Sequence, residues 1–339
     1  MMREKELGYK IKRSEMGEET TNNINMKSEK SGLIMNLTTT PAVILFEKTL
    51  FKDMFKIPKV LVSIILMIFG PLMTILAIPP GIEFYYNSLN DFLGLTFSFY
   101  TYCMMFPIIL TVVSAPLIAE ELKSGTMLTL ISKPISRGGI LITKYLALTC
   151  FGFLINIVSL SLITLIAPLK YPFEGVADFF IINLLFSLII QFFFQSVAFS
   201  FSCLFKKTRN AILMPLLIII VTFFVLMMFR PLFMYMYLGD SEVPIYVQFQ
   251  LFHFDLGYHL FNAYIGFINI ISGGVSENMM YFLYMFGLYT QEIDFDTWEY
   301  TFTRNDFYSP LGSLIFLLSI AIGLMFLGYF LFKKRDISR

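Results

Sequence analysis

Six apolar stretches, each nearly free of charge, punctuate the chain at residues 60–80, 92–118, 140–167, 179–205, 211–229 and 311–332. A helix rising about 1.5 Å per residue needs about 20 residues to cross roughly 30 Å of hydrocarbon, so each stretch predicts one transmembrane helix. The second, third and fourth exceed what a perpendicular crossing needs, which predicts tilt or protrusion from the bilayer. Pro107, Pro116 and Pro215 fall inside spans and predict kinks, tolerated where neighbouring helices satisfy the freed carbonyls. The fold class that follows is all-α: a polytopic transmembrane helical bundle.

The polar positions organise the rest. Residues 1–39 are rich in Lys, Glu, Asn, Ser and Thr and predict a flexible cytoplasmic tail. They lack the continuous apolar core of a cleavable signal, so the first hydrophobic helix is expected to start insertion. Over 40–58 the pattern turns amphipathic: Lys48, Lys52 and Lys56 recur every four residues, with Val43, Phe46, Leu50 and Met54 on the other side and Leu45 and Glu47 out of pattern. A helix of this kind, ending at Pro58 before a span, is expected to lie in the interface with its lysines toward anionic lipid headgroups. The remainder, 59–339, contains the spans together with a polar connection at 119–139 and a long segment at 230–309.

Lys and Arg orient the bundle. With the N-terminus inside, 22 of the 25 basic residues are cytoplasmic, leaving Lys170, Arg230 and Arg304 outside. Six spans return the C-terminus to the same side, where Lys333, Lys334 and Arg335 are expected to anchor the last helix. The 230–309 segment then lies outside and carries nine acidic residues. Within it, 259–275 and 279–290 are apolar but short, and predict two interfacial or re-entrant helices.

Composition agrees with this picture: 57% of residues are hydrophobic and 14% charged, against about a quarter charged in soluble domains. A net charge of +1 gives no reason to expect a nucleic-acid partner. Cys103, Cys150 and Cys203 are far apart within predicted spans and read as buried thiols. No phosphate-loop motif occurs, so any ATP hydrolysis must come from another polypeptide, and the spans carry almost no ionisable groups for intramembrane catalysis. His253, Asp255 and His259 invite a metal reading, but six residues turn the two histidines to different helical faces, and no metal is expected. Gln191, Gln195 and Ser202 form a polar line on the fourth span. Interhelical hydrogen bonding is the favoured reading of that line, and a substrate path the alternative.

The most informative polar stretch is 119–137, containing Glu120, Glu121, Gly125, Thr126, Lys133, Pro134, Ser136 and Arg137. Gly125 can close a helix in the left-handed conformation, Thr126 can cap a short second helix, Pro134 prevents its extension, and Ser136 can cap the helix that re-enters the membrane, with Lys144 near its base. A short helix held between two long spans transmits a push to both. The same residues also fit an ordinary positive-inside turn.

The run Glu120, Gly125-Thr126, Leu128, Leu130, Lys133-Pro134-Ile135-Ser136-Arg137 and Lys144 resembles the segment between the second and third helices of type-2 ABC exporter permeases. The amphipathic first helix, the long segment before the last span and the tail Phe332-Lys333-Lys334-Arg335-Asp336 fit that resemblance. The stretch around Asp255, Tyr258-His259-Leu260 and Asn262 is similar to one seen before the last helix in the family. The resemblance implies a transport subunit without its own ATPase site in the plasma membrane. Its partners would be a separate ATP-binding subunit, which holds ATP and Mg, and a second permease copy, identical or related. Glu120, Glu121, Gly125, Thr126 and the 133–137 turn would face the ATP-binding subunit. The alternative is a non-transporting transducer that relays ATPase motion to an external partner through 230–309.

Overall fold

The computed structural model describes residues 41–77, 91, 93–131, 135–170, 175–238, 243–293 and 300–334. The tail at 1–39, Lys133, Pro134 and Arg335 lie outside the described residues. Six helices are long and apolar enough to span a membrane: α2 (Ile57–Ala77), α3 (Leu93–Ser124), α5 (Arg137–Leu169), α6 (Val176–Leu204), α7 (Thr208–Tyr235) and α11 (Pro310–Lys334). They coincide with the six apolar stretches, because run length alone determines them.

Ahead of α2, helix α1 (Pro41–Glu47) continues as a wider π-helical turn, Lys48–Met54. Lys48, Lys52 and Lys56 are exposed, while Leu45, Leu50 and Met54 are buried against α5. Leu45, out of pattern for a regular helix, joins the packed face and Val43 leaves it. The Phe55 N–H reaches back five residues to the Leu50 carbonyl (2.8 Å). Such a widened turn shifts the faces that a uniform 3.6-residue period predicts.

Helix α2 contains Pro71, which cannot donate to the carbonyl four residues earlier, that of Met67. The Thr101 hydroxyl of α3 takes that place, donating to Met67 O at 2.7 Å. Helix α3 is the most buried span, and its stretch Phe97–Met105 is π-helical. Helix α6 is central, packing on α3, α5, α7, α11 and the later helix Leu256–Ile271. Gly328 of α11 permits one of these contacts, since a Cβ there would stand 3.1 Å from the Ser200 Cα. Ser200 Oγ donates to the Leu324 carbonyl across the same junction (2.5 Å).

Between α7 and α11 the chain builds a cap at the end of the bundle away from the α3–α5 connection. It comprises the short α8 (Ile245–Gln248), α9 (Leu256–Ile271), α10 (Glu277–Tyr284) and an antiparallel hairpin, β1 (Tyr289–Ile293) with β2 (Tyr300–Arg304), in register Tyr289 to Arg304. The 16 residues of α9 span about 24 Å, short of a full crossing. The expected second apolar helix, 279–290, ends at Tyr284. Gly287 then takes a left-handed conformation (φ +71°) and the chain becomes a strand.

Candidate functional site

The connection between α3 and α5 is built from local capping chemistry. Gly125 closes α3 at φ +75°, with nothing within 4 Å of where a Cβ would stand. A side chain there would meet backbone strain and no clash. Helix α4 (Thr126–Ile131) follows at once, one and a half turns and about 9 Å long. Ser124 and Thr126 join hydroxyls at 2.9 Å, and the Thr129 hydroxyl donates to Thr126 O at 2.7 Å. Met127 and Leu130 are buried beneath α4, while Leu128 and Thr129 face outward. Ser136, extended at ψ 149°, accepts the Gly139 N–H (3.0 Å) and starts α5.

Below α4 a buried charge joins the two long helices. Lys144 of α5, 1% exposed, donates to the Glu121 carboxylate and to the Leu117 carbonyl, both on α3. Glu120 beside it is exposed. Arg137 Nη1 donates to the Lys333 carbonyl of α11 (3.3 Å), so the start of α5 is also tied to the end of the last helix. Lys333 and Lys334 are exposed at that end. A cleft of about 380 Å³ opens between α1 and the end of α3, lined by Asp53, Lys56, Lys59, Pro116, Glu120 and Thr126.

The polar line on α6 divides between two neighbours. Gln191 donates to Thr149 O (2.8 Å), and Gln195 donates to Thr149 Oγ1 (2.7 Å) and Tyr145 O (3.0 Å), all on α5. Asn156 and Ser187 extend the seam at 2.6 Å. Ser202 instead meets α3: its hydroxyl donates to Ala115 O (2.9 Å) and receives the Ala119 N–H (3.3 Å). These are the two groups an α-turn joins, so Ser202 is inserted into the α3 ladder beside Pro116.

At the cap, Arg230, five residues before the end of α7, is 1% exposed and makes a forked pair with Asp255, while its other arm reaches Met285 O (2.6 Å). Asp255 also accepts the Tyr246 hydroxyl (2.9 Å) and caps α9 through the Tyr258 N–H (3.1 Å). Burial, and secondarily the Asp255 charge, push the Tyr246 phenol well above its usual range, and burial lifts Tyr258 to about 12. His259 Nε2 faces the His253 carbonyl (3.4 Å) and Nδ1 faces Ser313 Oγ (3.1 Å), which accepts from Asn262 Nδ2 (2.9 Å). The His253 carbonyl can only accept, so Nε2 carries a proton, and in the neutral ring Nδ1 accepts from the Ser313 hydroxyl. Burial lowers the His259 pKa in the same direction. His253 meets the Tyr308 hydroxyl.

Sequence reasoning assigned Glu120, Glu121, Gly125, Thr126, Ser136 and Arg137 to one segment, and the described residues bring these six to one end of the bundle. It missed the Glu121 to Lys144 pairing and the place of Ser202 against α3. The available signal was a lysine standing inside an otherwise apolar span, where charge is expensive.

The family described as ABC-2 family transporter protein matches residues 11–337, nearly the whole chain. No curated protein matches it. With six membrane-spanning helices and a family match of that extent, the chain belongs to the ABC-2 transporter family and is a multi-pass integral membrane permease of an ABC transporter.

Proposed function

We propose that this permease is the transport subunit of an ATP-driven exporter. Two copies, or one with a related permease, pair with separate ATP-binding subunits that hold ATP and Mg. The α4 end faces the cytoplasm with both termini, α1 lies in the interface, and the cap faces outward. Helix α4 receives the motion of the ATP-binding subunit, with Glu120, Thr126 and the 133–137 turn at the contact. What carries this reading is the buried Lys144 to Glu121 pair. It links α3 and α5 directly beneath α4, so displacing α4 moves both spans as one body. ATP-driven closure thereby becomes a shift between inward- and outward-facing populations.

The test is ATPase stimulation in the assembled complex. Glu120 is exposed, so Glu120→Lys leaves the fold intact and is expected to reduce stimulation of the partner at least tenfold. Gly125→Pro, which cannot adopt φ +75°, is expected to abolish it. Unchanged stimulation in both variants would remove the role assigned to α4. The transducer reading draws support from the packed cap, and ATP-dependent movement of lipid or drug in vesicles separates the two.

A further inference from the structure

At the cap end of the bundle a second cleft, of about 480 Å³, opens between the start of α3, the start of α6 and the α9–α10 pair. Its chemistry is one-sided. Asp91 and Asp178 line it, no basic side chain does, and neither carboxylate is in an ion pair among the described residues. Asp178 lies in the first turn of α6, where the helix dipole favours an anion. That accounts for Asp178 but leaves Asp91 unexplained. It also leaves unexplained Asn183, one turn deeper, which is 1% exposed and lines the same cleft. Its Nδ2 donates to Phe179 O (2.9 Å), which fixes the amide orientation, and its Oδ1 has no hydrogen-bond partner. A buried amide oxygen without a donor costs on the order of 1–3 kcal/mol, which a ligand bearing N–H or positive charge would relieve.

The remaining walls decide what kind of cation fits. Phe179, Tyr264, Ile182, Ile268 and Met279 give the cleft an aromatic and apolar side beside the hydroxyls of Ser272 and Ser276, and no group of three or more His, Cys, Asp or Glu side chains that could hold a metal occurs among the described residues. A bare metal ion would meet two carboxylates with no third charged ligand and would leave the aromatic side unused, whereas an ammonium carrying carbon substituents meets acceptors at one side and aromatic side chains at the other. The volume lies within the range of small-molecule pockets. We propose that this cleft binds an organic ammonium group, held by Asp91, Asp178 and the Asn183 carbonyl, with its carbon substituents against Phe179 and Tyr264. Placing the cleft on the outer face rests on the orientation proposed above. Binding to solubilised protein does not, so the two fail separately.

Two sources share this chemistry: the headgroup of a zwitterionic phospholipid and a free organic cation. The experiment uses the full chain in uncharged detergent, with choline as probe and its uncharged isostere 3,3-dimethylbutanol as control. Choline is expected to bind saturably and at least tenfold more tightly than the isostere. Asp91→Asn and Asp178→Asn, both at partly exposed positions, are expected to weaken choline at least tenfold with the melting curve retained. Glu292→Gln, an exposed acid on the hairpin, is expected to change nothing. Competition by short-chain phosphatidylethanolamine, with none by phosphatidylglycerol, identifies a lipid headgroup, and absence of competition identifies a free cation. Equal binding of choline and its isostere to the unaltered protein overturns the proposal without recourse to any variant. So does undiminished choline binding in the two aspartate variants.

Discussion

Arg230 and Asp255 are exposed by 1% and 5%, so neither charge has water to fall back on. Removing one partner of such a pair typically costs 3–5 kcal/mol, because the other is left buried and unpaired, whereas replacing both by apolar groups is often neutral. Arg230→Ala is therefore expected to lower the melting temperature sharply in detergent, and Arg230→Met with Asp255→Asn, which keeps an acceptor for Tyr246 and the α9 cap, to recover part of the loss. His259 carries a second prediction. Its folded pKa lies below the ordinary 6.5, so the unfolded chain binds the extra proton first as the pH falls. The stability it contributes is complete above pH 6.5 and is lost as the pH drops from there toward the folded pKa. Melting temperatures between pH 7.5 and 5 are expected to fall, and His259→Gln to flatten that slope. A slope unchanged by the substitution would assign the pH response to another group.

Among the elements, the contact of α11 with α6 depends on one missing side chain. Gly328→Leu must push α11 off Ser200 and break the Ser200 to Leu324 hydrogen bond, at a cost of about 1–3 kcal/mol. Loss of thermal stability in that variant, with Gly323→Leu harmless because nothing lies within 4 Å of it, is the expected pattern. What was legible in the chain follows the same division between local and distant causes. The six spans, the left-handed Gly125 and the Ser136 cap depend on neighbours a few residues away, and the sequence pattern contains them. The Lys144 to Glu121 pair joins residues 23 apart and depends on which spans are adjacent, which periodicity does not encode. The π-helical turns at Lys48–Met54, Phe97–Met105 and Val221–Val225 have no signal in a 3.6-residue pattern. The hairpin was hidden because its Tyr and Phe residues continue the apolar run of α10, although Gly287 is a helix-breaking signal and the segment Tyr300–Arg304, with its Tyr, Thr and Phe, a β-like one.

For the whole molecule, α3, α5 and α6 form the interior, while α2, α7 and α11 present most of their surface outward. The cap closes one end through contacts to α6, α7 and α11, so its helices cannot be cut away without orphaning Arg230. The hairpin can be removed more gently. Replacing residues 289–304 by a short Gly-Ser linker keeps Asp255 and the Met285 carbonyl in place. The exporter reading expects ATP-dependent transport in vesicles to survive this change, and the transducer reading expects signalling to an external partner to stop. The position of Arg230 in the chain also sets an order of biogenesis. Its partners lie 25 and 55 residues further on, so the guanidinium leaves the ribosome well before Asp255 and the Met285 carbonyl that will hold it. Until both have emerged, the Arg230 charge lacks the partners that hold it in the folded chain.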